Sequence, residues 1–577
     1  MSKSIYICSR DILPSNINIK LTHICNRLSP DNISSRPPII RINKNIAYAI
    51  TNPTDNIIIK NNSFMLGALY GKSENWHKPQ EEYPDGSFAL FRNSAELCEV
   101  VSDAAGSRTV WYYFNTNIFI CSTSQRAIIM YINSIQFNEK VIPWMLSSGS
   151  LGPEFSWDKR IKRIPPNSSI LLNKREWTMS KNISKIIFKE NKLPKAKHKK
   201  NLIHRLKETF NNLNLNYDKW YLPLSGGYDS RGILNFLTNV PSNNNYLQTL
   251  TWGISSAVDD TETDAFIAKK LASHYQVSHK YYTTDQPNES IEKIFYRFLW
   301  LGEGRIDHIS GYMDGFNIWK TLYEDGVQGI IRGDEGFGWN EAAISELYIR
   351  LSTGSTLCKD ISNLKKYREY GIPEQEVPIS FQRRDNETIP MWRDRIYHEF
   401  RLPIVIASLT DLKLAYVEQI SPLLSKDILN YVRQLPDHFR TDKFLFKEIV
   451  DDFGLNINYA TKDAIANPVN ILNSLDAANL LKKELSSKYA KNIFQDNFLN
   501  LIKNNIRSYS PKKEINKSSN RAKRLFEITP DLIKNLIRKY ILKPKLDYNL
   551  IAFRIYIISS MHQLLIEDSN QNNEFTP

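Results

Sequence analysis

The spacing of apolar residues predicts a first part of the chain that is rich in strands. Short runs of alternating apolar and polar residues occur at 87–91, 97–101 and 118–122, and turn residues separate them. Alternation with a period of two is typical of antiparallel strands that bury one face. We therefore expect a β-rich region over residues 1–188.

The pattern changes after residue 200, where strands begin to alternate with helices. A helical period over 202–213 precedes an apolar strand at 220–224, and a strand at 247–253 precedes a helix at 264–275. This alternation is typical of a parallel sheet with helices on both faces. Between the two parts, the polar and basic segment 189–200 is expected to be a linker or the start of a solvated helix.

Composition narrows the class of protein. The chain has 577 residues, 42% hydrophobic and 24% charged. A single hydrophobic core stops growing at roughly 250–300 residues, so more than one domain is expected. No run approaches the roughly 18 continuous apolar residues of a membrane span, and no signal-peptide core is present, so we expect a cytoplasmic protein without membrane contact. Five scattered cysteines without a CxxC pair argue against disulfides and a zinc site.

Positive charge is concentrated towards the end of the chain. The net charge is +14, and residues 481–550, with 17 Lys or Arg and six Asp or Glu, carry +11 of it. One interpretation is helices with solvated basic faces, and the other is a docking surface for an acidic partner. No nucleic-acid-binding motif accompanies the charge, so we favour solvated faces and expect no nucleic-acid partner.

A glycine-rich turn at residues 224–231, LSGGYDSR, is placed to bind an anion. It follows a predicted strand and opens a predicted helix. Gly226 and Gly227 allow the backbone to approach a ligand, and successive N–H groups before a helix form an anion cradle. Asp229 would repel a bare phosphate, so its presence indicates a bridging cation, for which Mg²⁺ is suited. The alternative is a plain turn between a strand and a helix.

The sequence SGGYDS resembles the pyrophosphate loop of ATP-pyrophosphatase enzymes of the asparagine synthetase type. Further segments resemble that family in the same order: 251–253, 330–338, 417–424 and 442–447 for its synthetase domain, and 85–90, 102–108, 121–127 and 161–167 for its glutaminase domain. The resemblance covers roughly residues 1–470.

This resemblance implies an α/β fold class with four regions. An N-terminal glutaminase-like (Ntn-type) α+β sandwich domain over 1–188 is followed by a linker at 189–200. A parallel-sheet ATP-pyrophosphatase domain occupies 201–470, and a basic, mostly helical C-terminal extension occupies 471–577.

The resemblance also implies roles for individual residues. It implies an ATP-binding set of Leu224, Ser225, Gly226, Gly227, Asp229, Ser230, Trp252 and Gly333, with Asp229 and Asp334 as Mg²⁺ ligands. It implies a catalytic set of Lys443, Asp334 and Glu399. Because the 330–338 loop is about three residues shorter than in the family, Asp334 and Glu335 remain alternatives for its acidic position. Glu399 and Tyr397 lie where β-lactam synthetases have a tyrosine–glutamate pair, and Glu418 is expected to be structural.

One departure from the family bears on function. Glutamine-using members carry a cysteine after the initiator Met, and its thiol and α-amine work together. This chain has Ser2, and Cys8 lies inside the first predicted strand. We therefore expect a sandwich domain without glutaminase activity, with Cys8 in its core.

Loss of the ammonia source changes the expected reaction. By resemblance, the protein is an ATP- and Mg²⁺-dependent ligase that adenylates a carboxylate, releases pyrophosphate and joins the acyl group to an amine. β-Lactam synthetases and lasso-peptide macrolactam synthetases share this loss, so macrolactam formation in a peptide is the favoured hypothesis, with a leader peptidase as a candidate partner. The alternatives are an amide ligase that uses ammonia or a small amine on a small carboxylate or a cell-surface sugar, and a non-catalytic binding protein.

Overall fold

The computed structural model describes residues 3–240, 247–285, 289–339, 345–465, 471–508 and 544–570. Ser2, on which the expected loss of glutaminase chemistry depends, lies outside the described residues. So do residues 509–543, which make up half of the basic segment 481–550.

Within the described residues, the first part of the chain forms two six-stranded antiparallel sheets. One has the order β10–β8–β9–β1–β3–β2 and the other the order β12–β11–β7–β6–β5–β4. Their strands are β1 (Ser4–Ser9), β2 (Ile39–Asn43), β3 (Ile46–Ile50), β4 (Ile58–Lys60), β5 (Ser63–Leu69), β6 (Gly86–Asn93), β7 (Leu97–Ser102), β8 (Trp111–Phe114), β9 (Ile118–Ser122), β10 (Lys162–Arg163), β11 (Ser169–Asn173) and β12 (Thr178–Asn182). The strands predicted at 87–91, 97–101 and 118–122 are confirmed.

The two sheets share one core because their alternating apolar side chains face each other. Tyr48 of one sheet lies 4.7 Å from Phe64 of the other, measured between ring centroids. Phe64 in turn stacks on Phe91 at 4.4 Å. Cys8 is buried in this core, as predicted. All five cysteines are buried free thiols.

A five-stranded parallel sheet forms the centre of the second part. Its order is β15–β14–β13–β16–β17, with β13 (Trp220–Pro223), β14 (Gln248–Gly253), β15 (Ser278–Thr283), β16 (Gly329–Ile331) and β17 (Glu418–Ile420). The chain starts in the middle of the sheet, moves outwards to β15, and then returns to the other side of β13. The strand order therefore reverses between β13 and β16, which is where ligands bind in open α/β sheets.

Helices cover both faces of the parallel sheet, as the sequence predicted. Within the described residues they are α1 (Ile17–Leu28), α2 (Gln125–Ile132), α3 (Val141–Ser148), α4 (Lys195–Asn211), α5 (Tyr228–Thr238), α6 (Asp264–His274), α7 (Ile291–Gly302), α8 (Asn317–Glu324), α9 (Glu346–Thr353), α10 (Ile389–Ile396), α11 (Ala407–Lys413), α12 (Lys426–Val432), α13 (Asp437–Arg440), α14 (Phe444–Asp451), α15 (Leu475–Glu484), α16 (Lys488–Ile493), α17 (Asp496–Asn504) and α18 (Tyr548–Asn570). Helices α4, α5, α6 and α14 share one apolar core with the sheet. Helices α7, α8 and α11 share another.

The segment between the two parts combines both expected forms. Residues 189–194 form neither helix nor strand, and the backbone N–H groups of Lys189 and Asn191 donate to the carbonyls of Arg433 and Gln434. Helix α4 begins at Lys195, directly after Pro194, so the second half of 189–200 is helical. His198 is fully buried and bonds Tyr431 at 3.0 Å, which anchors this turn to α12.

A long helical segment over residues 389–413 changes its winding midway. Helix α10 continues into a π-helix at Tyr397–Ile406 and then into α11. Pro403 lies inside the π-helix, and proline lacks the N–H that an α-helix needs at that position. Wider turns of this kind are frequent at functional sites.

The helix α18 is the one described helix that is long and apolar enough to cross a membrane, and 72% of its most apolar stretch is buried inside the protein. It packs on α2, α3 and α15–α17. The buried carboxylate of Asp568 bonds Arg126 of α2, with Nε 2.6 Å from Oδ2. The helix therefore serves as a core element that joins the end of the described chain to its first part.

Candidate functional site

A cavity of about 530 Å³ lies where β13 and β16 end, at the reversal of strand order. The loops after β13, β14 and β16 form its walls, together with residues of the π-helix and Lys443. Of the predicted site residues, those that line it are Leu224, Ser225, Asp229, Ser230, Trp252, Gly333, Asp334 and Lys443. Gly226 and Gly227 lie within the same loop, between lining residues.

The loop SGGYDS is held in shape by side-chain oxygens. The backbone N–H of Ser225 donates to Oγ of Ser230 at 3.0 Å, and the N–H of Gly226 donates to Oδ1 of Asp264 at 2.8 Å. Helix α5 begins at Tyr228, directly after Gly227. Its first N–H groups have no acceptor within the helix, so they are available to an anion.

Lys443 joins two acidic side chains in the cavity. Its Nζ lies 2.8 Å from Oδ2 of Asp229 and 3.0 Å from Oε1 of Glu335. Burial lowers the pKa of the Lys443 ammonium, but the carboxylates of Glu335 and Asp229 raise it more, so the net shift is upward. Lys443 therefore stays a cation within reach of the loop that opens α5.

The backbone holds Lys443 in an unusual conformation. Asp442 and Lys443 have φ values of 54° and 57°, in the left-handed region that side chains rarely adopt. Such conformations cost of order 1–3 kcal/mol each and cluster at functional sites. The turn places Lys443 at the start of α14, opposite Asp229.

The two acids of the 330–338 loop have different surroundings. Glu335 is buried, and burial raises the pKa of its carboxyl group although Lys443 opposes the shift. Asp334 accepts hydrogen bonds from Nε2 of Gln419 at 3.1 Å and Oγ of Ser421 at 3.0 Å. Both line the cavity, but the ion pair with Lys443 is made by Glu335.

A layer of aromatic and cationic side chains closes another wall. Tyr397 stacks on Trp339 with ring centroids 5.0 Å apart, and the guanidinium of Arg401 lies 5.1 Å from the Trp339 ring. Burial raises the pKa of Tyr397 well above its ordinary value, and the nearby Glu335 carboxylate adds to the shift. The phenol is thus a proton donor at neutral pH and not a ready base.

Glu399 lies outside this cavity, so the structure does not bring the three predicted catalytic residues together. Its carboxylate is held by Arg395 at 2.8 Å and Arg384 at 3.3 Å, and it lines a different cavity. Tyr397 and Arg401, one turn apart, face the cavity of the SGGYDS loop. Glu399 lies between them in sequence and points to the other side of the helix. Glu399 therefore does not share a cavity with Lys443 and Asp334.

Glu418 has the structural role that the sequence indicated. It is buried and pairs with the buried Arg108 of the first part of the chain. It also accepts a hydrogen bond from the backbone N–H of Gln419 at 3.0 Å.

The cavity has carboxylates that could bind a metal ion, but its described residues do not supply a full set of protein ligands. Among the described residues, no group of three or more His, Cys, Asp or Glu is arranged to hold a metal. Asp229 and Asp334 line the same cavity. Mg²⁺ is commonly held by one or two carboxylates together with substrate phosphates, so this donor set fits it.

Two lining residues carried no recognisable signal in the sequence. Trp339 lies in a short loop after a glycine-rich run, and Arg401 lies among apolar helical residues. The one available hint was the spacing of four between Tyr397 and Arg401, which places both on one side of a helix.

His398 fixes the loop that carries Glu335, and its protonation is expected to matter for stability. Its Nε2 bonds the carbonyl oxygen of Gly336 at 2.9 Å, so Nε2 carries the proton and Nδ1 accepts from Arg433 at 3.4 Å. Burial, with the Arg433 cation adding, lowers the pKa of His398 from 6.5 to about 3.

In the unfolded chain, His398 is protonated below about pH 6.5. In the folded protein, it stays neutral down to about pH 3. The contribution of His398 to the free energy of unfolding is fully present above about pH 6.5. It decreases as the pH falls below that value. Between pH 7 and pH 5, the free energy of unfolding is expected to drop by about 2 kcal/mol more in the parent protein than in His398→Gln. Urea unfolding at both pH values measures this, and equal drops in the two proteins would contradict it.

Comparison of the chain with protein-family models gives no match, and comparison with curated proteins gives none either. Among solved structures, the chain is similar to the U34-tRNA thiolase NcsA from Methanococcus maripaludis with its 4Fe-4S cluster. The two chains are 12% identical, the likeness covers 66% of this chain and 88% of that one, and the TM-score is 0.21.

Proposed function

We propose that this protein is an ATP-dependent ligase that activates a carboxylate as its adenylate and joins the acyl group to an amine. The main support for this proposal is the position of Lys443. It lies between Asp229 and Glu335, beside the glycine-rich loop that leads into α5. A fixed cation beside an anion cradle suits a reaction that develops negative charge on phosphate oxygens.

The cavity has separate places for the parts of ATP. The SGGYDS loop and the first turn of α5 offer N–H and hydroxyl donors for the phosphates. Trp252, at the end of β14, lines the cavity and would contact the base, and Asp229 and Asp334 would hold Mg²⁺. When bound, that ion would neutralise phosphate charge and leave the chain's own residues to bind and orient the reactants.

The proposed reaction has two steps. A carboxylate oxygen of the substrate attacks the α-phosphorus of ATP, a P–O bond forms, and pyrophosphate leaves. An amine nitrogen then attacks the acyl carbon, a C–N bond forms, the bond to AMP breaks, and the amine loses a proton. Lys443 would stabilise negative charge in both steps, and the neutral phenol of Tyr397 would donate a hydrogen bond to the reacting oxygen.

We propose further that the amine belongs to the same molecule as the carboxylate, so that a peptide is closed to a macrolactam. Support comes from Ser2, which stands where glutamine-using members of the family that the sequence resembles carry the cysteine that releases ammonia. A serine hydroxyl is far harder to ionise than a cysteine thiol.

Intact-mass measurement tests this function. The full chain is mixed with ATP, Mg²⁺ and peptides encoded beside its gene, and AMP is followed in the same tube. Loss of one water from the peptide with equal AMP release supports the macrolactam reaction. AMP release with ammonia and a small acid, without change of any peptide, supports the ammonia-using ligase, and ATP binding without turnover supports the binding protein.

Two glycines of the loop give a matched pair of variants. A Cβ on Gly226 would lie 2.4 Å from Cβ of Ala460, whereas a Cβ on Gly227 meets only Oγ of Ser225 at 3.5 Å. Gly226→Ala is therefore expected to lower the free energy of unfolding by about 1–3 kcal/mol through overpacking.

Gly227→Ala should leave stability nearly unchanged, because Gly227 has a φ of −88° that alanine adopts readily. It should weaken ATP binding, because the added methyl group occupies space through which phosphates approach the backbone. Urea unfolding and calorimetric titration with ATP measure the two effects. Unchanged ATP affinity in Gly227→Ala would contradict the assignment of this loop.

A further inference from the structure

A second cavity of about 920 Å³ lies between the first part of the chain and the helical segment at 379–400. We call it the basic cleft. Seven Lys or Arg side chains and two Glu side chains line it, and the volume is at the upper end of the range for ligand pockets. The cavity of the SGGYDS loop has the opposite balance, with five acidic and three basic lining residues.

Five of the cations in the basic cleft form no direct ion pair with a described residue. Among the described residues, no ion pair is formed by Lys159, Lys162, Arg163, Lys181 or Lys185. Charged groups that face a concave surface without counter-charges attract ligands of opposite sign. The cleft therefore offers an electrostatic match to a carboxylate-bearing molecule.

The two acids of the cleft have other bonding partners. Glu399 is bound by Arg395 and Arg384. Glu154 accepts a hydrogen bond from Oγ of Ser380 at 2.6 Å. Glu154 still attracts Arg163 electrostatically, but two carboxylates against seven cations leave the cleft with an excess of positive charge.

The floor and rim of the cleft are apolar. Buried Ile170 and Phe400 lie at its floor, and Ile183 and Ile379 line it with exposed fractions of 52% and 86%. Exposed aliphatic side chains beside lysines suit a chain that carries both carboxylates and apolar groups, such as an acidic peptide. A free phosphate or nucleotide would leave these apolar groups unused.

One helix separates the two cavities. Ile396 and Phe400 line the basic cleft, while Tyr397 and Arg401 line the cavity of the SGGYDS loop. A molecule held in the cleft is thus one helix diameter from the proposed reaction. Binding energy from such a remote contact serves to position the reacting part of a substrate.

Arg163 is consistent with a site made for an anion. Burial, with the nearby Arg305 cation adding and the Glu154 carboxylate opposing, lowers the pKa of Arg163 to about 10. Its Nη2 donates to the carbonyl of Pro153 at 3.0 Å. A bound carboxylate would relieve the repulsion between the two guanidinium groups.

We propose that the basic cleft binds an acidic and partly apolar segment of the peptide substrate, with its carboxylates on these five cations. The proposal rests on the proposed function for the identity of the substrate. The cleft would bind the peptide, and the reaction would take place in the cavity of the SGGYDS loop.

Fluorescence anisotropy with the full chain tests this assignment. The probe is a short fluorescein-labelled peptide in which aspartate and glutamate alternate with leucine, and the comparison peptide has asparagine and glutamine instead. Lys181→Glu/Lys185→Glu is expected to weaken binding of the acidic peptide by at least about tenfold. The charge-matched control Lys72→Glu/Lys78→Glu, outside the cleft, should change it by less than about twofold.

Three outcomes would overturn the assignment. The first is equal affinity of the protein for the acidic and the amide peptide. The second is an equal loss of peptide affinity in the two double variants. The third is tighter binding of a single-stranded RNA than of the acidic peptide, with that RNA binding lost in Lys181→Glu/Lys185→Glu. The last would make the cleft a nucleic-acid site.

ATP binding, measured without peptide on the same variants and on Asp229→Asn, separates the two proposals. If ATP binds and depends on Asp229, but the cleft charges do not affect peptide affinity, the cleft assignment alone fails. If no variant or parent binds ATP, the proposed function fails, while a cleft-dependent peptide affinity still stands.

Discussion

Replacing Lys443 by methionine is expected to lower the rate of AMP formation by a factor of about 10²–10³, as is typical for removal of one fixed charge-stabilising group. The ammonium of Lys443 lies within 3.0 Å of Asp229 and Glu335, at the loop proposed to hold the phosphates. Methionine keeps much of the side-chain volume and removes the charge. Initial rates of AMP release at saturating ATP measure the effect.

The same substitution is expected to reduce stability, which must be separated from the loss of activity. Glu335 is 3% exposed, and loss of its partner leaves a buried carboxylate unpaired, at a cost of about 3 kcal/mol. Adding Glu335→Gln to Lys443→Met removes that charge. The double variant should regain most of the stability but none of the activity, and recovery of AMP formation would contradict a role for Lys443 in the reaction.

Replacing Asp568 by alanine is expected to lower the free energy of unfolding by about 3–5 kcal/mol. Asp568 and Arg126 are both fully buried, and Oδ2 and Oδ1 of Asp568 lie 2.6 and 3.1 Å from the Arg126 guanidinium. Without Asp568, Arg126 loses the carboxylate that it bonds directly, and Glu303 offsets the buried charge only from a greater distance. Urea unfolding measures the loss.

A neighbouring residue supplies the matched control. Glu567 is 44% exposed and lies 3.6 Å from Arg27, so Glu567→Ala should cost less than about 1 kcal/mol. Should Asp568→Ala fail to fold, the double variant Arg126→Met/Asp568→Leu removes both charges and should fold. Equal stability of Asp568→Ala and Glu567→Ala would show that this buried pair contributes little.

The strands and the loop that shape the SGGYDS cavity could be predicted because their signals are local. The alternation at 118–122 and the apolar run ending at Gly253 match observed strands, and SGGYDS follows β13 and runs into the first turn of α5 as expected. Backbone period and turn chemistry act over a few residues, so a single sequence contains them.

The walls of the cavity could not be predicted in the same way. The exposure of Tyr397 and Arg401 to the cavity, and of Glu399 to the basic cleft, depends on how a helix with a π-helical middle packs between two regions. The spacing of four groups Tyr397 with Arg401 on one side of a helix, but which region each side of the helix faces depends on residues distant in the sequence. Resemblance of this region to β-lactam synthetases predicted Glu399 for the catalytic set without information on how the helix packs.

The long-range ion pairs could not be predicted from the sequence either. Arg108 with Glu418 and Arg126 with Asp568 are each more than 300 positions apart. Nothing in the local pattern distinguishes these arginines from surface residues. Only the packing of the sandwich region against the parallel-sheet region makes them core residues.

The contact between α2 and α18 sets an order of events during synthesis on the ribosome. Arg126 and Asp568 are 442 positions apart, and at 5–20 residues per second their emergence is separated by about 20–90 s. Throughout that interval, Arg126 and the side of α2 that α18 covers in the folded protein lack this packing partner. The growing chain thus has a long period in which a chaperone can bind it, and its first region reaches its final packing only after α18 has been translated.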